Sequence, residues 1–95
     1  MSITAYHFSS PTCAPCKVIK PAVDDLKEEF GQIQWISVNI QDDPNNYTNQ
    51  FSVKVVPTIV ILVKDANGTI KYVGKESGTA MASYYRLIRT GLRYM

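Results

Sequence analysis

The stretch that decides the fold is SSPTCAPCKVIKP, residues Ser9 to Pro21. It contains both cysteines of the chain, Cys13 and Cys16, separated by two residues. A proline lies between them, and a second proline follows five residues after Cys16. Such a pair has three physical explanations: a structural disulfide, two ligands of a metal ion, or two thiols that exchange electrons. The rest of the sequence has to separate these explanations.

Composition limits the kind of protein this is. The chain has 95 residues, which predicts a single domain, residues 1–95, and 45% of them are hydrophobic. The net charge of +2 comes from mixed charges and favours neither nucleic acid nor an anionic membrane as a partner. No signal peptide is visible near the N-terminus, and the longest apolar run, Thr58 to Val63, is too short to cross a bilayer. We expect a soluble, cytoplasmic monomer.

Hydrophobic periodicity predicts a helix that begins at the cysteine pair. The helix should run from about Cys13 or Ala14 to Phe30, with Gly31 as a left-handed stop. Apolar side chains recur at spacings of three and four residues along it, so one face should be buried. These positions are Ile19, Ala22, Val23, Leu26 and Phe30.

The remaining elements follow from alternation, turn residues and helix starts. Asp43 is a predicted N-cap, with Pro44 at the first helical position of a short helix that runs to about Phe51. Asn67-Gly68 is a strong hairpin signal. Predicted strands are Ile3–Phe8, Gln34–Ile40, Thr58–Val63 and Thr69–Val73, and a last amphipathic helix spans Ala80 to about Leu92, with Met81, Tyr84, Tyr85, Ile88 and Leu92 facing inward.

The order is therefore βαβαββα, an α/β fold. A helical crossover joins the first two strands, so they should be parallel. The hairpin should add two antiparallel strands. We expect a mixed four-stranded sheet flanked by helices on both faces.

The place of the cysteines in this scheme favours redox exchange. Cys13 and Cys16 lie where the first strand ends and the first helix begins, and unpaired N–H groups at a helix start stabilise a thiolate. Cys13, at the end, should be exposed and nucleophilic, and Cys16, one turn further, should resolve the mixed disulfide. Ala14 and Pro15 stiffen the loop between them.

The two rival explanations are weaker. A structural zinc ion takes four ligands, and His7 is the only further histidine or cysteine in the chain. A disulfide that closes so short a loop removes little chain entropy. His7 itself has two interpretations. It is a candidate base that takes the proton of Cys16, or it is a core histidine bonded to the backbone.

Four segments together resemble the thioredoxin family. They are FSSPTCAPCKVIKP, NIQDDP, VVPT at Val55 to Thr58, and NGTIKYVG, which ends at Gly74. The resemblance spans the chain and implies a thioredoxin-like fold. It also implies a protein-disulfide reductase with a redox-active disulfide between Cys13 and Cys16 and no bound cofactor.

The resemblance further implies a cis Pro57 that faces the cysteines. The backbone of Val56 should then pair with an extended substrate, with Ala14, Pro15 and Gly74 beside it. Protein disulfides would be the substrates, and a thioredoxin-reductase-like donor would supply electrons. Neither nucleic acid nor a membrane is implied.

The sequence departs from the family at positions near the cysteines. The family's buried aspartate is His7 here, its lysine partner is Ser37, and the tryptophan before the first cysteine is Thr12. Two other functions therefore stay open. One is a partner-binding subunit with idle cysteines, and the other is a glutaredoxin-like or isomerase activity.

Overall fold

The computed structural model describes all 95 residues, Met1–Met95. Its elements follow the predicted order βαβαββα. They are β1 (Ser2–Ser9), α1 (Ala14–Glu29), β2 (Gln34–Asn39), α2 (Tyr47–Gln50), β3 (Thr58–Lys64), β4 (Ile70–Ser77) and α3 (Met81–Leu92).

The four strands form one mixed sheet in the order β2-β1-β3-β4. β1 pairs with β2 in parallel and with β3 antiparallel, and β3 pairs with β4 antiparallel. A parallel pair needs a crossover, and α1 supplies it. The prediction of a mixed four-stranded sheet is confirmed.

The first helix buries one face, as its periodicity predicts. Ile19, Val23 and Leu26 are buried, while the proline inside the helix, Pro21, lies on the exposed side. The predicted stop at Gly31 is wrong. Phe30 is the C-cap, with φ −110° and ψ 48°, and Gly31 is not among the residues with positive φ. The Phe30 N–H still donates to the Leu26 carbonyl, so the last turn closes without a left-handed residue.

The sheet separates two apolar clusters. The larger cluster joins odd-numbered residues of β1 and β3 to α1 and α3, and Val23, Tyr84 and Ile88 are fully buried in it. The smaller cluster lies on the opposite face, where Tyr6 and Phe8 pack against Phe51 and its neighbours. Helices thus lie on both faces, although only the four-residue α2 lies on the second.

The second helix begins later than predicted. Its N-cap is Asn46, which has a left-handed backbone with φ 60°. Asp43 is not the N-cap, but its carboxylate accepts hydrogen bonds from the backbone N–H groups of Tyr47 (3.2 Å) and Thr48 (2.7 Å). The carboxylate therefore satisfies the N–H groups of the helix start from a preceding turn. The residues around Pro44 form that turn instead of a helical turn.

The last helix buries two residues of its predicted stripe and two residues outside it, while Met81, Tyr85 and Leu92 are half-buried. Tyr84 and Ile88 are buried as expected, and Leu87 is buried as well. Gly91 lies against the sheet, where a Cβ atom would stand 2.6 Å from Ile61 Cγ2. The helix therefore approaches β3 more closely than a larger residue would allow. No helix combines the length and the apolar character that crossing a membrane requires.

The hairpin between β3 and β4 has the predicted turn. Gly68 has φ 81°, and the Asp65 carboxylate accepts from the N–H groups of Asn67 and Thr69. β4 continues to Ser77, four residues beyond the predicted end at Val73. The extension pairs Ser77 with Thr58 at the start of β3.

Replacing Tyr84 by Phe should destabilise the fold. The Tyr84 hydroxyl is buried and donates to the carbonyl oxygens of Pro57 and Gly78, which lie in different segments. We expect Tyr84→Phe to lower the free energy of unfolding by about 1–2 kcal/mol in urea denaturation, because the Gly78 carbonyl loses the donating hydroxyl. Tyr94→Phe is the matched control, since Tyr94 is largely exposed and stacks on Tyr72 through its ring alone. Equal urea midpoints for Tyr84→Phe and Tyr94→Phe would contradict a stabilising role of the buried Tyr84 hydroxyl.

Candidate active site

Cys13 caps the first helix with its own sulfur. It has an extended backbone, φ −93° and ψ 106°, and its Sγ accepts a hydrogen bond from the Cys16 backbone N–H at 3.1 Å. The Cys13 carbonyl then accepts from the Lys17 N–H, which begins the helical ladder. An N-cap normally uses an oxygen for this bond. Here the sulfur takes that place, so the first sulfur lies at the positive end of the helix dipole.

The two cysteines are joined by a disulfide bond, with Cα atoms 5.3 Å apart. They are not equally accessible. Cys13 is partly exposed, whereas Cys16 is only 7% exposed and faces inward from the first turn of α1. Ala14 and Pro15, the residues between them, are exposed. An incoming partner can therefore reach the sulfur of Cys13 more easily than that of Cys16.

A glutamine holds the loop that leads to Cys13. Gln41 Nε2 donates to Ser10 Oγ at 3.0 Å and to Thr12 Oγ1 at 3.1 Å, and these two hydroxyls bond to each other. Sequence reasoning missed Gln41. The one available signal was the parallel pairing of β1 with β2, because the carboxyl ends of parallel strands lie at the same edge of a sheet.

The segment before β3 lies beside the first sulfur. The Val56–Pro57 peptide bond is cis, and the carbonyl oxygen of Val56 is 3.7 Å from Cys13 Sγ. Val56 is partly buried and Pro57 is buried. Thr58 fixes this segment, since its hydroxyl donates to the Val55 carbonyl at 2.7 Å. The structure thus brings together Cys13, Cys16, Val56 and Pro57.

The glycine next to this segment is Gly78 rather than Gly74. The Gly78 N–H donates to the Pro57 carbonyl at 3.0 Å, and its backbone has φ 103°. Gly74 lies in the middle of β4, opposite Ile61, where a Cβ atom would stand 2.6 Å from Leu87 Cδ1. Its role in the structure is packing against α3, and we correct the placement of Gly74 on the substrate surface. A positive φ cannot be read from the sequence, so Gly78 was missed.

His7 lies in the sheet beneath the cysteines. It is 8% exposed, and its Nε2 has no hydrogen-bond partner. The pKa of His7 is lowered to about 4, chiefly by burial and next by the nearby Lys27, while Asp24 acts in the opposite direction. The side chain is therefore neutral at physiological pH. The interpretation of His7 as a core histidine bonded to the backbone does not fit its Nε2, because this atom has no hydrogen-bond partner.

His7 and Cys16 line the same cavity. Its volume is about 400 Å³, and its walls come from the end of β1, from α1 and from β2. Polar and charged side chains form almost all of the lining. The structure thus connects the buried sulfur to a buried imidazole through a polar space. No group of three or more His, Cys, Asp or Glu residues is placed to hold a metal ion.

Comparison with known proteins gives consistent matches. A sequence model of the thioredoxin family matches residues 3–86. Thioredoxin of Haemophilus influenzae is 35% identical over 78 residues, which cover 81% of this chain and 71% of that protein. Chloroplastic thioredoxin M5 of Oryza sativa subsp. japonica is 34% identical over 78 residues, covering 81% of this chain and 44% of the rice protein.

Solved structures of thioredoxins have a similar fold. A chain in the crystal structure of a complex of ferredoxin:thioredoxin reductase and thioredoxin f2 superposes with a TM-score of 0.77. It is 22% identical, and the match covers 94% of this chain and 76% of that chain. The present chain spans less than half the length of the plant M5 relative. Family model, sequence relatives and fold agree, and the chain belongs to the thioredoxin family.

Proposed function

We propose that this protein reduces protein disulfides by dithiol exchange. The observation that carries the proposal is the placement of Cys13 and Cys16 at the start of α1, within bonding distance of each other and with unequal exposure. The thioredoxin relatives support the same activity. Two thiols at a helix start are suited to exchange because the thiolate is favoured there.

The reaction has two exchange steps. The Cys13 thiolate attacks one sulfur of a substrate disulfide, forms a mixed disulfide and releases the other substrate sulfur as a thiolate. The Cys16 thiolate then attacks Cys13 Sγ, which forms the Cys13–Cys16 disulfide and releases the second substrate thiolate. Two electrons pass from the pair to the substrate, and the released thiolates take up the two protons.

The backbone of Val56 beside Cys13 supports the substrate-binding role. Val56 presents its carbonyl 3.7 Å from Cys13 Sγ, and Val55, Ala14 and Pro15 are exposed around the pair. We propose that an extended substrate segment pairs with the Val56 backbone and brings its disulfide onto Cys13. Pro57 forms the buried base of this surface.

Each cycle leaves the pair oxidised, so a separate donor must reduce it. We propose a reductase of the thioredoxin-reductase type as that donor. The fold match to a chain from a complex with ferredoxin:thioredoxin reductase supports it. Such cycling requires a reducing compartment, and we propose the cytoplasm. A monomer suffices, since one chain supplies Cys13, Cys16 and Val56.

We further propose that His7 accepts the proton of Cys16 when Cys16 attacks the mixed disulfide. Both residues line the same cavity, and His7 is buried with a free Nε2. The burial that lowers its pKa to about 4 keeps the imidazole neutral, which is the form that can accept a proton. A pKa this low makes a weak base, so the proton is held only while the exchange proceeds.

Cysteine substitutions should separate the two steps. In insulin reduction with dithiothreitol, the chain should accelerate turbidity, and Cys13→Ser should reduce the rate to the uncatalysed background. Cys16→Ser should keep the attack but lose the resolution, so it should accumulate a mixed disulfide that mass spectrometry detects. Acceleration that survives in the double serine variant would instead favour the partner-binding function with idle cysteines.

His7→Phe should slow the second step. We expect the rate at which the mixed disulfide resolves to fall about tenfold or more, because a general base contributes at least about a tenfold rate increase. Stopped-flow measurement of both exchange steps checks it, since the attack by Cys13 should keep its rate. Equal slowing of both steps would indicate that His7 only shapes the site.

His7 should also make stability depend on pH. Its pKa in the folded chain is about 4, below the ordinary 6.5, so the unfolded chain binds more protons between these values. The free energy of unfolding should therefore fall as pH drops from 6.5 towards 4, by up to about 3 kcal/mol. His7→Phe is the control, because the remaining groups titrate alike in both proteins. If the free energy of unfolding depended on pH identically in the unchanged chain and in His7→Phe, the lowered pKa of His7 would be refuted.

A further inference from the structure

The cavity that contains His7 has the size of a ligand site. Its volume of about 400 Å³ falls within the range of roughly 300–1,000 Å³ that small-molecule sites occupy. It reaches the active site through Cys16 and not through Cys13. A molecule in it would not compete with a substrate segment at Val56.

The charge of the lining is positive. Lys17, Lys20 and Lys27 line the cavity, and Asp24 is the only acidic residue of the lining. The Lys20 ammonium is 3.0 Å from the Asp24 carboxylate, so this pair is neutral as a unit. Lys27 donates to Ser37 Oγ at 3.2 Å, and Lys17 takes part in neither of the two ion pairs of the chain. Two positive charges are therefore left without a carboxylate partner.

A buried polar atom lies at the same place. His7 is more than nine-tenths buried, and its Nε2 is the only buried side-chain nitrogen or oxygen without a hydrogen-bond partner. Such an atom carries an uncompensated desolvation cost unless a water or a ligand meets it. Serine hydroxyls surround the same space, from Ser9, Ser10 and Ser37.

These donors define the ligand by charge and by hydrogen bonding. Three ammonium groups disfavour a metal cation and favour an anion, and the serine hydroxyls offer it further hydrogen-bond donors. Lysine is a frequent phosphate ligand, and hydroxyl groups donate to phosphate oxygens. We propose that this cavity binds the phosphate group of a small molecule, held by Lys17 and Lys27 and placed beside His7 and Cys16.

Binding would couple the cavity to the exchange reaction. A dianion near His7 favours the imidazolium, and the same charge near Cys16 disfavours its thiolate. The ligand would therefore slow the step in which Cys16 resolves the mixed disulfide. Binding itself does not depend on that reaction and can be measured on the oxidised protein, whether or not the cysteines are active.

The single histidine makes the test direct, because its ring signals belong to His7 alone. The folded, oxidised chain is titrated near neutral pH with inorganic phosphate and, separately, with glucose 6-phosphate, with sodium chloride holding ionic strength constant. His7 ring shifts are followed by NMR. We expect a saturable shift from at least one probe. Tighter binding of the ester indicates a phosphorylated metabolite, and tighter binding of inorganic phosphate indicates the free ion.

Lysine variants decide whether the shift reports this site. Lys17→Gln combined with Lys27→Gln should weaken binding about tenfold or more, because two positive charges are removed. Lys54→Gln is the matched control, since Lys54 is an exposed lysine outside the lining. The affinity of this variant for the phosphate probes should stay within about twofold of that of the unchanged chain. If the NMR amide signals show that the double variant is unfolded, Lys17→Gln alone replaces it. Lys17 is exposed, so this single change should leave the fold intact. A shift that does not saturate with either probe, or that is equally strong in the lysine variants, overturns the proposal.

Discussion

The structure depends on the double pairing of β1. This strand is hydrogen-bonded on one side to β2 and on the other to β3, so its backbone is fixed along its whole length. Its last residue is Ser9, and the chain passes from there through a short loop into α1. Because β1 cannot shift, the loop and the helix start are held at one edge of the sheet. Pro57 and Thr58, at the start of the antiparallel neighbour β3, meet the chain at the same edge.

The helix start gives this edge its chemistry. Cys13 Sγ accepts from the Cys16 N–H, a bond that an N-cap oxygen would normally make. The same hydrogen bond and the helix dipole stabilise a thiolate once the disulfide is reduced. One local arrangement therefore caps the helix and favours the thiolate of Cys13, the nucleophile that we propose. The carbonyl oxygen of the neighbouring Val56 lies 3.7 Å from the same sulfur.

The polar cavity below the pair contrasts with the two apolar clusters of the fold. The four-stranded sheet has apolar residues such as Ile59 and Ile61 at its centre, and one buried side-chain polar atom has no hydrogen-bond partner. His7 carries that atom, and it lines the same cavity as Cys16, the residue whose proton we propose it accepts. Natural proteins depart from local consistency chiefly at functional sites, where the stability lost is compensated elsewhere. The cost of burying His7 is therefore a feature of the site and not of the core.

The sequence by itself determined the element order, the mixed sheet, the place of the cysteines on α1 and most of the core. These features follow from periodicity and from turn residues, which act over a few neighbouring positions. The predicted helix ends were wrong where a contact in the folded chain outweighed the local sequence preference. Asp43 satisfies the N–H groups of α2 from a preceding turn, and Phe30 ends α1 without a left-handed Gly31.

Only the tertiary structure decided which distant residues meet at the site. Gln41 reaches Ser10 across the strand edge, Gly78 contacts Pro57, and Gly74 packs against Leu87. The polar cavity is likewise formed where the consecutive elements β1, α1 and β2 pack together, and no sequence motif indicates it. A sequence records neighbours along the chain, whereas register and packing set neighbours in space. That is why the position of the cysteine pair at the helix start could be predicted from residues alone, and its surroundings could not.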